Sequence, residues 1–117
     1  MGVKVEKTAL EGVLLITPDK FGDARGFFSE TYNADALASH GVSVAFCQDN
    51  HSFSATPGTV RGLHFQAPPT AQTKLVRVSR GRVLDVAVDI REGSPTFGQH
   101  VAAELSDENW TQILVPA

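Results

Sequence analysis

Cysteine is almost missing from this chain: Cys47 stands alone, so no disulfide can close within it. A single thiol fits a reducing compartment, and a cytoplasmic location is the expectation. Val44 and Phe46 beside it suggest a strand, which points to a buried structural thiol rather than a nucleophile. Long apolar runs are missing too. The longest ones are broken by Arg77, Asp85 or Asp89, which argues against a membrane-spanning helix. No apolar run follows Met1-Gly2-Val3-Lys4, so a secretory signal is not expected. There is no basic stripe: the net charge is −3 with both signs scattered, so nucleic acid is not an expected partner. Isolated arginines remain free to hold a small anion. Repeats, low-complexity tracts and linkers are also lacking.

What is present is a chain of 117 residues, 42% apolar and 20% charged, enough for one domain with its own core. Period-two patterning dominates it. Short strands are expected at 12–17, 27–32, 42–50, 59–66, 74–79, 82–90, 98–105 and 111–115, separated by turns rich in glycine and proline. Residues 22–26 read as a turn into the second strand. In 82–90, Leu84, Val86, Val88 and Ile90 should face the core, while Asp85 and Asp89 should face solvent, although Asp85 could reach Lys74 if their strands pair. One short helix is expected over 34–40, with Asn33 as its cap, Asp35 in its first turn and Gly41 at its end. Many short strands at near-regular spacing predict an all-β antiparallel sandwich or barrel. The chain stops at Val115-Pro116-Ala117, directly after a strand. A sheet ending there would carry an unpaired edge, so one domain over 1–117 that lacks its last strands is the expectation.

The densest polar segments are Gln48-Asp49-Asn50-His51-Ser52 and Arg61-Gly62-Leu63-His64-Phe65-Gln66, followed by Lys74. His64 is the sharpest candidate, because an imidazole titrates near neutrality and can take a proton from carbon. A lone histidine is more often a core residue bonded to backbone. Arg61 and Lys74 shift that balance, since two cations beside a histidine would stabilise an enolate or hold a phosphate. Arg61 and His64 are three apart and face opposite sides of a regular strand, so a bulge at Gly62 is needed to turn both into one cavity. A metal site ranks lower. His64-Phe65-Gln66 puts glutamine where a metal-binding cupin has its second histidine, no carboxylate follows before Lys74, and His40, His51 and His100 match no ligand spacing. On their own, Arg25 and Glu30 read as a surface ion pair beside Phe27-Phe28. Trp110 and Phe97 read as packing residues.

At residues 61–66 the chain resembles the dTDP-4-dehydrorhamnose 3,5-epimerase family. The match is an ordered series: Asp23-Ala24-Arg25-Gly26-Phe27-Phe28-Ser29-Glu30, then 48–52, 61–66, Lys74-Leu75-Val76-Arg77-Val78, Asp85-Val86-Ala87-Val88-Asp89-Ile90-Arg91 and Ser94-Pro95-Thr96-Phe97-Gly98. It spans about residues 11–117.

The resemblance implies a cupin-like β-jelly-roll and an isomerase that inverts C3 and C5 of a dTDP-4-keto-6-deoxyhexose, as in dTDP-rhamnose biosynthesis. It implies that His64 removes the proton beside the ketone and that Lys74 holds the developing enolate oxygen. Arg25 and Arg61 would bind the diphosphate, and Glu30, Gln48 and Asn50 the nucleotide. It also implies no metal or organic cofactor, and a homodimer in which the N-terminal part contributes across the interface. The family continues past this point with a Gly-Phe-Ala-His-Gly-Phe motif, a tyrosine that acts as the acid and an acidic residue that orients the base. Residues 1–117 contain none of these, and Tyr32 matches an earlier family position. The alternatives are a mono-epimerase of the same family, a non-catalytic dTDP-sugar-binding module, and, least favoured, a metal-dependent cupin.

Overall fold

The computed structural model of the chain describes residues 2–117. Eight strands and one helix follow one another as β1 Val3–Lys7, β2 Leu14–Pro18, β3 Phe21–Asp23, β4 Gly26–Phe28, α1 Ala34–Ala38, β5 Lys74–Val76, β6 Arg82–Val88, β7 His100–Ser106 and β8 Gln112–Val115. Every strand pair is antiparallel. One sheet runs β1-β2-β8-β5, while β3–β4 and β6–β7 form two further hairpin sheets. The all-β expectation with one short helix therefore holds.

The four-stranded sheet is covered on both faces, and β8 shows why. Its run Ile113-Leu114-Val115 does not alternate with polar residues, the pattern of a strand buried on two sides. Ile113 packs with Leu10, Val13, Ala87 and Leu105, toward the β6–β7 hairpin. Its neighbour Leu114 packs with Ile16, Leu37 and Val42, toward α1. The last strand thus lies inside the sheet. The unpaired edge expected there does not occur; among the described residues the edges of this sheet are β1 and β5.

The helix is shorter than its pattern. Asn33 caps it, its side-chain oxygen accepting from the Ala36 N–H at 2.9 Å. Gly41 (φ +85°) lets the chain turn back, so that the Val42 N–H reaches the Leu37 carbonyl and the Gly41 N–H that of Ala38.

Several expectations need correction. No strand forms at 42–50 or 59–66, and residues 47–72 are exposed. A strand needs a neighbouring strand to take its N–H and C=O groups, and among the described residues none pairs with these segments. Val42, Val44 and Phe46 still pack under α1 through their side chains. Without that strand Cys47 is exposed, not buried. The strand expected at 27–32 is only β4, because its partner β3 is three residues long and Gly22 and Asp23 belong to β3 rather than to a turn.

The inward face of β6 is also the opposite of the expected one. Ala87 and Asp89 are buried and Asp85 is partly buried, while Leu84, Val88 and Ile90 are exposed and, of the residues expected inward, Val86 alone is partly buried. Asp89 tolerates the core side because it is fully partnered. Its carboxylate accepts from Arg91 Nε at 3.0 Å and Nη2 at 3.1 Å, from the Arg91 backbone N–H at 3.0 Å, and from the hydroxyls of Ser94 at 2.6 Å and Thr96 at 2.5 Å.

Candidate active site

The residues singled out in the sequence fall in three places. Arg25 occupies the two-residue turn of the β3–β4 hairpin, with Glu30 shortly after it. Gln48, Asn50, Arg61 and His64 lie on the irregular exposed segment before β5, and Lys74 is the first residue of β5. Of these, Gln48 and Asn50 meet directly, Nε2 donating to Oδ1 at 3.1 Å. Arg61 steadies its own segment instead, its guanidinium donating to Ser54 Oγ at 3.1 Å and to the Phe53 carbonyl at 3.2 Å. His64 is exposed, and no hydrogen bond among the described residues orients its ring.

The bulge expected at Gly62 has no ladder to interrupt. The glycine is required nonetheless. It takes φ +99°, and a Cβ there would stand 2.9 Å from His64 Nδ1 and 3.2 Å from the His64 nitrogen. The imidazole thus lies over the backbone of Gly62, and only a glycine leaves room for it.

Lys74 has Asp85 as a neighbour, an approach expected only if their strands paired. Asp85 was expected on a solvated face, but it is partly buried. Burial pushes its carboxyl up from the ordinary value, and the Lys74 ammonium pulls it partway back. The two residues belong to different sheets, since β5 pairs with β8 and β6 with β7, so they approach across the core and not along a ladder. The available signal was that Asp85, Ala87 and Asp89 share one side of β6.

Arg25 pairs with Asp23, not with Glu30. Its Nη2 lies 2.7 Å from Asp23 Oδ2, Nε lies 3.4 Å from Oδ1, and its backbone N–H donates to Oδ1 at 2.8 Å. These bonds hold the Asp23 carboxyl below its usual range and raise the Arg25 guanidinium. The remaining N–H groups of the guanidinium fork stay open to an anion. Glu30 lines a small cavity of about 10 Å³ beside Ile16 and Leu37. A hollow of about 320 Å³ lies between α1 and the 42–46 segment, lined by Tyr32, Leu37, Val42 and Phe46. Neither includes His64, Arg61 or Lys74; His64 and Arg61 are exposed and Lys74 is partly buried. Tyr32 packs edge-on against Phe46 at 5.7 Å.

Antiparallel sheets sharing a two-sided core, with one short helix, make this a β-protein of the cupin-like jelly-roll class. Comparison with known proteins narrows this. Residues 7–117 match the model of the family described as dTDP-4-dehydrorhamnose 3,5-epimerase. A dTDP-4-dehydrorhamnose 3,5-epimerase of Sinorhizobium fredii is 54% identical over 112 residues, which is 96% of this chain and 57% of that protein. One from Salmonella typhimurium is 53% identical over 113 residues, 96% of this chain and 61% of that protein. The crystal structure of the Bacillus anthracis enzyme, with TDP and PPi bound, superposes with a TM-score of 0.96 at 50% identity, covering 98% of this chain and 66% of that one. The chain belongs to the dTDP-4-dehydrorhamnose 3,5-epimerase family. It spans roughly three-fifths of the length of the curated relatives it matches.

Proposed function

We propose that this chain supplies the base side of an epimerase that inverts C3 and C5 of a dTDP-4-keto-6-deoxyhexose, in dTDP-rhamnose-type deoxysugar biosynthesis. The observation that carries the reading is the superposition, over nearly all of this chain, on an enzyme solved with TDP and PPi. A Legionella pneumophila relative solved with dTDP-4-keto-L-rhamnose, 45% identical, supports the substrate class.

In this reading neutral His64 takes the proton from the carbon beside the ketone and becomes imidazolium. The electron pair moves into the carbonyl, and the charge that develops on its oxygen faces the Lys74 ammonium. Arg25 and Arg61 hold the diphosphate, while Glu30, Gln48 and Asn50 contact the nucleotide. Delivery of a proton to the opposite face has no assigned donor among these residues. The working unit is a cytoplasmic homodimer that needs no metal or organic cofactor.

Incubation with the keto-sugar in deuterated water tests this. Deuterium should enter at C3 and C5, and His64→Ala should slow its entry by about 10²–10⁴-fold. Exchange that survives His64→Ala removes His64 as base, and dTDP binding without any exchange favours a binding module. A second reading, inversion at one centre, draws on a dTDP-4-dehydrorhamnose 3-epimerase of Streptomyces niveus that is 41% identical. Label at a single carbon would select it.

A further inference from the structure

Among the described residues the β3–β4 hairpin pairs only with itself, and all six of its strand residues are exposed, yet its turn carries Arg25. What sets its angle comes from much later in the chain. The Trp110 indole Nε1–H donates to Ser29 Oγ at 2.9 Å across 81 positions of sequence, and the Ser29 hydroxyl donates to the Asp19 carbonyl at 2.7 Å. The Trp110 ring meets Phe27 of β4 edge-on, with centroids 5.2 Å apart. Lys20, at the root of the hairpin, places its ammonium 4.1 Å from the Phe27 ring centre and 4.4 Å from that of Trp110. The same ammonium donates to the Asp107 carbonyl at 3.3 Å.

Asp107 is itself pinned. Its N–H donates to the Gly81 carbonyl at 3.1 Å, and its carboxylate accepts from the Gly81 N–H at 3.0 Å. The hairpin root, the turn before β6 and the link between β7 and β8 therefore meet at one node. Trp110 takes φ +60°, a left-handed conformation that a bulky residue adopts only where its surroundings hold it. They do: its N–H donates to the Ser106 carbonyl at 3.0 Å, and Asn109 Oδ1 accepts from the N–H of Ser106 at 3.1 Å and of Thr111 at 3.0 Å.

We propose that Lys20 and Trp110 form a latch that fixes the angle of the β3–β4 hairpin and so positions Arg25 for the diphosphate of a sugar nucleotide. They are positioning residues: the latch acts on how tightly the nucleotide is held and not on proton transfer. The proposal rests on the assignment of Arg25 to the diphosphate. The hairpin contributes no residue to either core cluster, so its release should leave the sheets intact.

Two measurements test it. Backbone NMR relaxation of residues 22–28 should give order parameters near about 0.85 in the wild type, falling toward about 0.6 or below in Lys20→Met and Trp110→Ala, with β1-β2-β8-β5 unchanged. In turnover of the dTDP-keto-sugar, both variants should raise KM about three- to tenfold with kcat unchanged, the size of one cation–π contact. Lys20→Arg and Trp110→Phe, which keep that contact, should recover most of the loss. On an Arg25→Ala background Lys20→Met should add nothing.

A hairpin that stays ordered in Lys20→Met overturns the latch, and so does a KM rise that persists at full size without Arg25, or a loss confined to kcat. Lys20 is exposed, so its replacement separates the latch from any folding defect of the tryptophan variant. A wild-type protein that admitted no deuterium into the keto-sugar would defeat the epimerase reading, while the relaxation measurement would still decide the latch.

Discussion

Asp85 and Lys74 show how far a single residue's chemistry depends on where its neighbours fall. Burial places the folded-state pKa of Asp85 above the ordinary 3.8, and Lys74 offsets part of that rise. Folding thus favours the protonated carboxyl. Its contribution to stability is complete below the unfolded pKa and is lost as pH rises through the folded value. Asp85→Asn, neutral at every pH, should raise the Tm at pH 7 by a few degrees and make little difference near pH 3. Thermal melts across that range check this, and a lower Tm at pH 7 contradicts it. Lys74→Met removes the attraction, so an NMR titration of the Asp85 carboxyl should find its pKa moved further up. The types of His64, Arg61 and Lys74 were enough to nominate them from sequence. That the His64 ring lies over Gly62, or that Asp85 is partly buried and approaches Lys74 between two sheets rather than along paired strands, was not legible, because neither follows from spacing along one strand.

At the scale of elements, the β6–β7 hairpin depends on one carboxylate. Past the end of β6, the Asp89 N–H donates to the Gln99 carbonyl at 2.8 Å and its carbonyl accepts from the Gly98 N–H at 2.7 Å, while its side chain gathers Arg91, Ser94 and Thr96. Arg91 then reaches the Glu11 carbonyl at 2.7 Å, tying the turn to the approach to β2. Hydrogen bonds from Arg91, then Ser94 and Thr96, hold the Asp89 carboxyl far below the carboxylate range. A depressed pKa adds stability above the unfolded value, and that stability is lost as pH falls through the folded one. Asp89→Asn should therefore lower the Tm clearly at pH 7, and the gap to wild type should narrow as the solution is acidified below pH 4. A gap that stayed constant with pH would rule out the carboxylate charge as the cause. The alternation that predicted β6 as a strand was real. Which side faces inward does not follow from that alternation, because Asp89 has its partners in a later turn and Asp85 is attracted to Lys74 of the earlier strand β5.

For the whole molecule, stability resides in the two clusters on either side of the central sheet, and not in its many exposed apolar side chains. Leu105 is 0% exposed beside Leu10, Val13 and Ile113, whereas Leu84, on the neighbouring strand of the same hairpin, is 68% exposed. Leu105→Ala should cost about 2–5 kcal/mol through lost burial and the cavity left behind. Leu84→Ser should stay within about 0.5 kcal/mol. Urea unfolding of both variants checks the contrast. A comparable loss at Leu84 would mean that the outer face of β6 is covered in solution.

Local pattern by itself determined the all-β class, the capped helix after Asn33, the strands near β2 and β5–β8, and the ordered motifs that mark the family. Those features depend on side-chain period, on turn residues and on residue type, all of which can be read along a line. Only the tertiary structure decided that β8 lies between β2 and β5, that 42–50 and 59–66 form no strands, which face of β6 is buried, and that Trp110 reaches the hairpin bearing Arg25. Each of these is set by which segments meet across long stretches of chain. A backbone hydrogen bond or a buried charge has its partner there, and not among its neighbours in sequence.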